Sequence, residues 1–241
     1  MNGKRRNINP MLMMIILLVI MRIVRGGFSN PTDWIVNRLL MMPAIITGLS
    51  LHEFGHAFVA DRLGDPTPRA QGRVTINPMS HIDPMGLLCL IIAGFGWGVP
   101  VQIDPRNFKN RRRDEALTAV AGVTMNLFIA IITTIIAKFI LNVAPYTFLQ
   151  STLGGVILEM IQYMIYINLV LMVFNLLPVP PLDGFNLLTQ IFDLRKYSWY
   201  QALYSSGGMI LLLLILFGGT SFILGPAVGQ LYNICISVIT A

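Results

Sequence analysis

Charge is scarce in this chain. Lysine, arginine, aspartate and glutamate make up 12% of its 241 residues, against roughly 25% in an average soluble domain. So little charge excludes an ordinary water-exposed globule of this length. Cysteine is scarce as well. Cys89 and Cys235 both lie in apolar segments, which argues for packed thiols and against a disulfide framework or a cysteine zinc site. No long polar block, internal repeat or low-complexity linker interrupts the sequence, so a soluble appendage is not expected. Basic residues outnumber acidic ones, 17 to 11. They sit in short loops beside apolar runs, which is the positive-inside pattern of a membrane protein and excludes nucleic acid as a partner.

What the chain does have is apolar length. Hydrophobic residues make up 55% of it, and several runs approach the ~20 residues that a bilayer core demands. The expected fold is an all-α polytopic membrane protein with about six transmembrane helices, a re-entrant segment and a possible short β-hairpin. Residues 1–241 read as one domain, with a core at about 34–190 and accessory spans at 9–25 and 197–240.

Lys4, Arg5 and Arg6 precede the apolar run from Met11 to Val24, and no small-residue cleavage site follows it. That run reads as a retained first span with its N-terminus in the cytoplasm. A second span from Trp34 to Leu63, with Pro43 as a kink, then returns to the cytoplasm. Weak alternation over Arg69–Asn77 suggests the strand or hairpin. The apolar stretch Met85–Val99 is short and broken by Gly94, Gly96 and Gly98. A single crossing there would place Arg106, Lys109, Arg111, Arg112 and Arg113 outside, so re-entry is the better reading. Further spans follow from Glu115 (capped by Asp114) to Asn142, from Leu153 to Leu177 and from Tyr197 to Phe217. Ser221–Ala241 forms either a last span or a helix lying partly in the membrane.

The chain contains three histidines, two of them in Leu51-His52-Glu53-Phe54-Gly55-His56-Ala57. Residues four apart share a helix face, so His52 and His56 can offer two imidazole nitrogens to one zinc ion. Glu53 lies one position round and can take a proton from the attacking water. Such residues are costly inside a membrane helix and mark function there.

A catalytic zinc commonly has three protein ligands. Asp61 and Asp65 follow His56 too closely to fold back, Asp114 and Glu115 belong to the basic loop, and Asp193 reads as surface. Asp183 remains, at matching depth after a proline-rich segment. It reads equally well as the N-cap of the next helix. His81 reads as a polar contact that organises the loop before the re-entrant segment. Asn126 either contacts substrate or bonds helices together, with the second reading favoured.

The His52-to-His56 motif, together with Asn175-Leu176-Leu177-Pro178-Val179-Pro180-Pro181-Leu182-Asp183-Gly184, resembles the site-2 protease family of intramembrane zinc metalloproteases. Asn77–Pro84, Pro105–Phe108 and Ala121–Asn126 resemble family features too, so the likeness covers roughly Leu51 to Leu188. It implies that His52, His56 and Asp183 hold one Zn2+ per chain and that Glu53 is the general base. It also implies that Asn175 and Pro181 lie where an unwound substrate segment docks. Val123 stands where family members often carry proline, which bears on substrate-side geometry and touches no ligand. The chain resembles the minimal form, without a PDZ or nucleotide-binding regulatory domain.

The expected activity is hydrolysis of peptide bonds within or near the transmembrane segments of membrane-anchored proteins, either in regulated intramembrane proteolysis or on signal-peptide remnants. An extended edge near Arg73–Ile76, or the Pro178–Pro181 segment, could pair with the substrate. The expected location is the plasma (inner) membrane of a prokaryote, with the lipid bilayer as surroundings and the site in its cytoplasmic half. The alternatives are a membrane zinc transporter or sensor, and a silent relative that binds membrane helices without cutting them.

Overall fold

The structure, a computed structural model, describes residues 30–93 and 97–241, together with Ile20. The expected span at 9–25 otherwise lies outside the described residues. The elements in order are helices α1 (Pro31–Arg62), α2 (Thr67–Ala70), α3 (Pro84–Ala93), α4 (Arg111–Val143), α5 (Tyr146–Leu149), α6 (Thr152–Asn175), α7 (Asp183–Phe192), α8 (Tyr200–Leu216) and α9 (Gly219–Thr240), with short 3-10 turns between some of them. Among the described residues α1, α4, α6 and α9 are long and apolar enough to cross a membrane, and α8 is a shorter apolar helix.

The helix starts follow local rules. Pro31 occupies the first turn of α1, where its missing N–H costs nothing. α4 begins a turn earlier than Asp114 suggests: Asn110 is its N-cap and accepts from the Arg113 N–H. Asp114 reaches back instead and accepts from the Asn110 N–H at 3.0 Å, so the two side chains satisfy orphan donors reciprocally.

α1, α4 and α6 pack against one another, and α9 closes on α4 and α6. Small residues set the approach of the first three. A Cβ at Gly55 would stand 2.9 Å from the Ala121 carbonyl oxygen, and one at Gly48 would stand 2.7 Å from Leu171. Ile165, Leu169, Met172, Val123, Ala130 and Val228 fill the space between α4, α6 and α9. Cys89 is buried, Cys235 half-buried, and both are free thiols.

The expected hairpin at Arg69–Asn77 is not there; no strand forms in it. Its backbone is satisfied locally. The Arg73 N–H donates to Pro68 O at 2.8 Å, Asn77 N–H to Thr75 Oγ1 at 3.2 Å, and His81 Nε2 bonds Thr75 O at 2.7 Å. These bonds hold the segment in turns and away from a ladder. Buried Asp65 ties the same region to the loop before α4, accepting from Thr67, from Asn107 Nδ2 and from the Asp104 N–H. Burial alone would raise its pKa, but these donors outweigh it and hold the carboxyl below its ordinary range.

The ends of the stretch around α3 meet. Ile82 and Gly98 form an antiparallel bridge, and the Val99 N–H donates to His81 O at 2.7 Å. A Cβ at Gly86 would run into the Trp97 carbonyl. Ile82 and Gly98, on either side of α3, are therefore neighbours.

Replacing Gly55 with Leu is expected to destabilise the fold by about 1–3 kcal/mol, as overpacking does. Thermal unfolding in detergent micelles measures it. Gly155→Ala is the control, because a Cβ there meets nothing within 4 Å, and it should be neutral or mildly stabilising.

Candidate metal centre

His52 and His56 lie in the last third of α1, buried against the first half of α4. Both Nδ1 atoms are committed. His52 Nδ1 lies 2.8 Å from Asn126 Oδ1, and His56 Nδ1 lies 2.7 Å from the Thr118 carbonyl oxygen. Asn126 cannot be turned the other way without loss. Its Nδ2 donates to Gly48 O and to Asn168 Oδ1, both at 3.0 Å, and Asn168 Nδ2 donates in turn to Met164 O at 2.8 Å. Backbone carbonyls thus fix both amides, and each imidazole carries its proton on Nδ1.

The consequence lies at the other nitrogens. His52 Nε2 and His56 Nε2 are 3.1 Å apart, and Asp183 Oδ2 is 3.2 Å from each. Asp183 Oδ2 is buried and meets no hydrogen-bond donor in good geometry among the described residues. With Nδ1 as the donor of each ring, neutral imidazoles turn their lone pairs toward it. One added proton would bridge a single contact and leave the other two bare. A cation at the centre satisfies all three. Tetrahedral ligands ~2.05 Å from zinc are about 3.3 Å apart, so the triangle fits such an ion with little adjustment. His52, His56 and Asp183 are the metal-type donor cluster among the described residues.

The local sequence explains how Asp183 gets there. Leu182, and not Asp183, is the N-cap of α7, and no side chain caps that end. Asp183 is the first helical residue and turns its carboxylate toward the histidines. The preceding loop is held by the Val179 N–H to Leu177 O and the Leu182 N–H to Val179 O, both 2.9 Å. A Cβ at Gly184 would run into the Leu176 carbonyl, so glycine lets the loop close. Gly122 serves the histidines directly: a Cβ there would run into His56 Nε2 and stand 2.6 Å from His52 Cε1.

The other acids are engaged elsewhere. Asp61 pairs with Arg69 at 2.6 Å, Glu115 with Arg195 at 2.5 Å, and Asp193 is exposed. His81 is fully buried at the loop before α3, with no place in the cluster.

A cavity of about 1020 Å³ opens on this cluster. His52, Glu53, His56 and Asp183 line it, as do Asn175 and Pro181, so the structure brings all six expected site residues together. Glu53 Oε2 accepts from the Val101 N–H at 3.0 Å, which leaves Oε1 as its second acceptor. The non-helical stretch from Trp97 to Ile103 forms one wall, and none of Arg73–Ile76 lines the cavity. Leu49, Leu171, Phe174, Leu211 and Leu212 make much of the remainder apolar. Sequence reasoning missed Asn168, Thr118, Gly122 and Val101. A carboxamide in an apolar run was the available signal for Asn168, as it was for Asn126.

Comparison with known proteins agrees with this geometry. Residues 40–215 match peptidase family M50. The chain is 34% identical over 195 residues to a Bacillus subtilis protein named "Putative zinc metalloprotease YwhC", covering 78% of this chain and 87% of that one. It is 30% identical to the Mycolicibacterium smegmatis protein named "Putative zinc metalloprotease Rip2", covering 72% and 68%. The Mycobacterium tuberculosis protein of the same name is 29% identical over 76% and 71%. No solved structure matches the chain. With the family match spanning most of the described helices and a zinc-compatible donor set at its centre, this chain belongs to peptidase family M50, the site-2 proteases, and is an intramembrane zinc metalloprotease.

Proposed function

We propose that His52, His56 and Asp183 are the zinc ligands, that Glu53 is the general base, and that the protein hydrolyses peptide bonds within or near the transmembrane segments of membrane-anchored proteins. The observation that carries this reading is the triangle of Nε2, Nε2 and Oδ2 atoms, 3.1–3.2 Å apart, with Glu53 lining the same cavity. Bound zinc supplies Lewis acidity and brings the pKa of a water toward neutrality. Glu53 takes the proton of the attacking water through Oε1 and later returns it to the leaving amine. The Val101 N–H keeps the other oxygen in place, so the base meets the water in one orientation. Asn126 and Thr118 fix the tautomer and the ring plane of each histidine.

Asn175 and Pro181, both on the cavity wall, are the family-implied docking points for an unwound substrate segment. Asn175 Nδ2 donates to Leu171 O at 3.0 Å, and its Oδ1 is an acceptor.

The basic groups support a site in the cytoplasmic half. Arg62 ends α1 and Arg69 and Arg73 follow it, Arg111–Arg113 begin α4, and Arg195 and Lys196 follow α7. These ends meet: Arg112 donates to the carbonyls of Gln190 and Ile191, and Arg195 pairs with Glu115. Three clusters on one side of the helices match the positive-inside rule. The joined ends of the α3 stretch support re-entry, since entry and exit lie at one level. Crossings by α1, α4, α6, α8 and α9 give five spans among the described residues, and the sixth expected from the sequence, at 9–25, lies outside them; the membrane is the inner membrane of a prokaryote. Nothing in the cavity suggests a transporter: its donors sit beside a base, which transport does not need.

Glu53→Gln should retain one zinc per chain and lose cleavage of a membrane-bound substrate by roughly 10²–10⁴-fold; cleavage at the native rate would sink the mechanism. Asn126→Leu should weaken zinc affinity by roughly 10–100-fold, as loss of an orienting partner does, read by competition with a chromophoric chelator. In inverted membrane vesicles, cysteines placed at Met79 and Gln102 should both react with an impermeant maleimide from the cytoplasmic face. Labelling of only one would overturn re-entry.

A further inference from the structure

One side of α7 faces the cavity with a polar stripe. Asp183, Asn186 and Gln190 are three and four positions apart, so they share that face, and all three line the cavity. Both ends of the stripe have partners. Asp183 meets the two histidines, and Gln190 Nε2 donates to Glu115 Oε2 at 2.6 Å. The middle one does not: among the described residues the Asn186 side chain makes no hydrogen bond. It is half-buried, in a cavity whose neighbouring walls are apolar.

An amide offers one strong donor set and one acceptor, which matches the N–H and C=O of a peptide group. An unwound substrate brings such groups into apolar surroundings, where each one left unpaired is costly. Asn186 lies about 4.5 Å beyond Asp183 along the helix axis. An extended chain advances about 3.3 Å per residue. A peptide bond being cut at the donor cluster therefore presents a neighbouring peptide group to Asn186, one or two residues away.

We propose that Asn186 is a substrate-binding residue that pairs with the substrate backbone one or two residues from the scissile bond. The proposal rests on the metal centre and cavity serving peptide hydrolysis as described above. The pairing is with backbone, so it holds an unwound segment without selecting its side chains, and it is made equally before and during the reaction.

The test uses the full chain in detergent micelles with a synthetic transmembrane peptide. A series of peptides carries a single amide-to-ester replacement at each position flanking the cleavage site, which removes one N–H at a time. Asn186→Leu keeps the volume and removes the hydrogen bonds; Asn186→Ala is a second variant. With the all-amide peptide, both should raise KM roughly ten-fold with kcat within about two-fold, as loss of uniform binding does. Zinc content should be unchanged. At one ester position, one or two residues from the cleavage site, the KM ratio of variant to parent should fall to near one. A KM equal to the parent's, a fall in kcat alone, or a ratio that stays the same for every ester would overturn the proposal. Glu53→Gln run in parallel reports separately on the catalytic reading.

Discussion

The structure depends on a conflict of lone pairs. Two imidazole nitrogens and a carboxylate oxygen stand within 3.1–3.2 Å of one another, and with neutral rings and an ionised carboxylate all three present lone pairs. Such an arrangement is unfavourable unless the remaining atoms of each group are bound so firmly that the rings cannot turn away. Asn126 and the Thr118 carbonyl do that for the histidines, and the turn ending at Leu182 does it for Asp183. The fold around the site is the set of elements that hold these atoms facing inward, at the proposed metal centre.

Close helix approach is the means. Gly48 and Gly55 let α1 lie against α6 and α4, and Gly122 leaves room for both imidazoles. The polar relay from Met164 O through Asn168 and Asn126 to His52 then crosses all three helices. In an apolar medium a hydrogen-bonded chain of this kind strengthens the packing and specifies its rotation. The same bonds that assemble the helices therefore also set the metal site.

Much of this was legible in the sequence. Spacing alone placed His52, Glu53 and His56 together, and the scarcity of acids narrowed the third donor to Asp183. Whether Asp183 capped its helix was open, because both readings put an aspartate at the same position; the φ and ψ of Leu182 decide it. Asn126 was legible as a helix-bonding group, but its bond to His52 was not. That contact depends on how each helix is rotated about its axis, and helices that are apolar nearly all round carry little periodicity to reveal rotation. The hairpin expected at Arg69–Asn77 came from reading Val74, Thr75 and Ile76 as strand formers. Side chains and a short helix claimed the backbone groups instead, which local propensity does not register.

The donors sit far apart along the chain, at residues 52, 56 and 183, and the groups that hold the histidines belong to α4, between them. During synthesis α1 enters the membrane carrying two histidines that have neither their orienting acceptors nor their third partner. The acceptors arrive with α4, and the carboxylate arrives only with α7. A nascent chain lacking α7 therefore has no complete donor triangle, and the cavity that opens on it closes only when α8, which supplies Leu211 and Leu212, has followed.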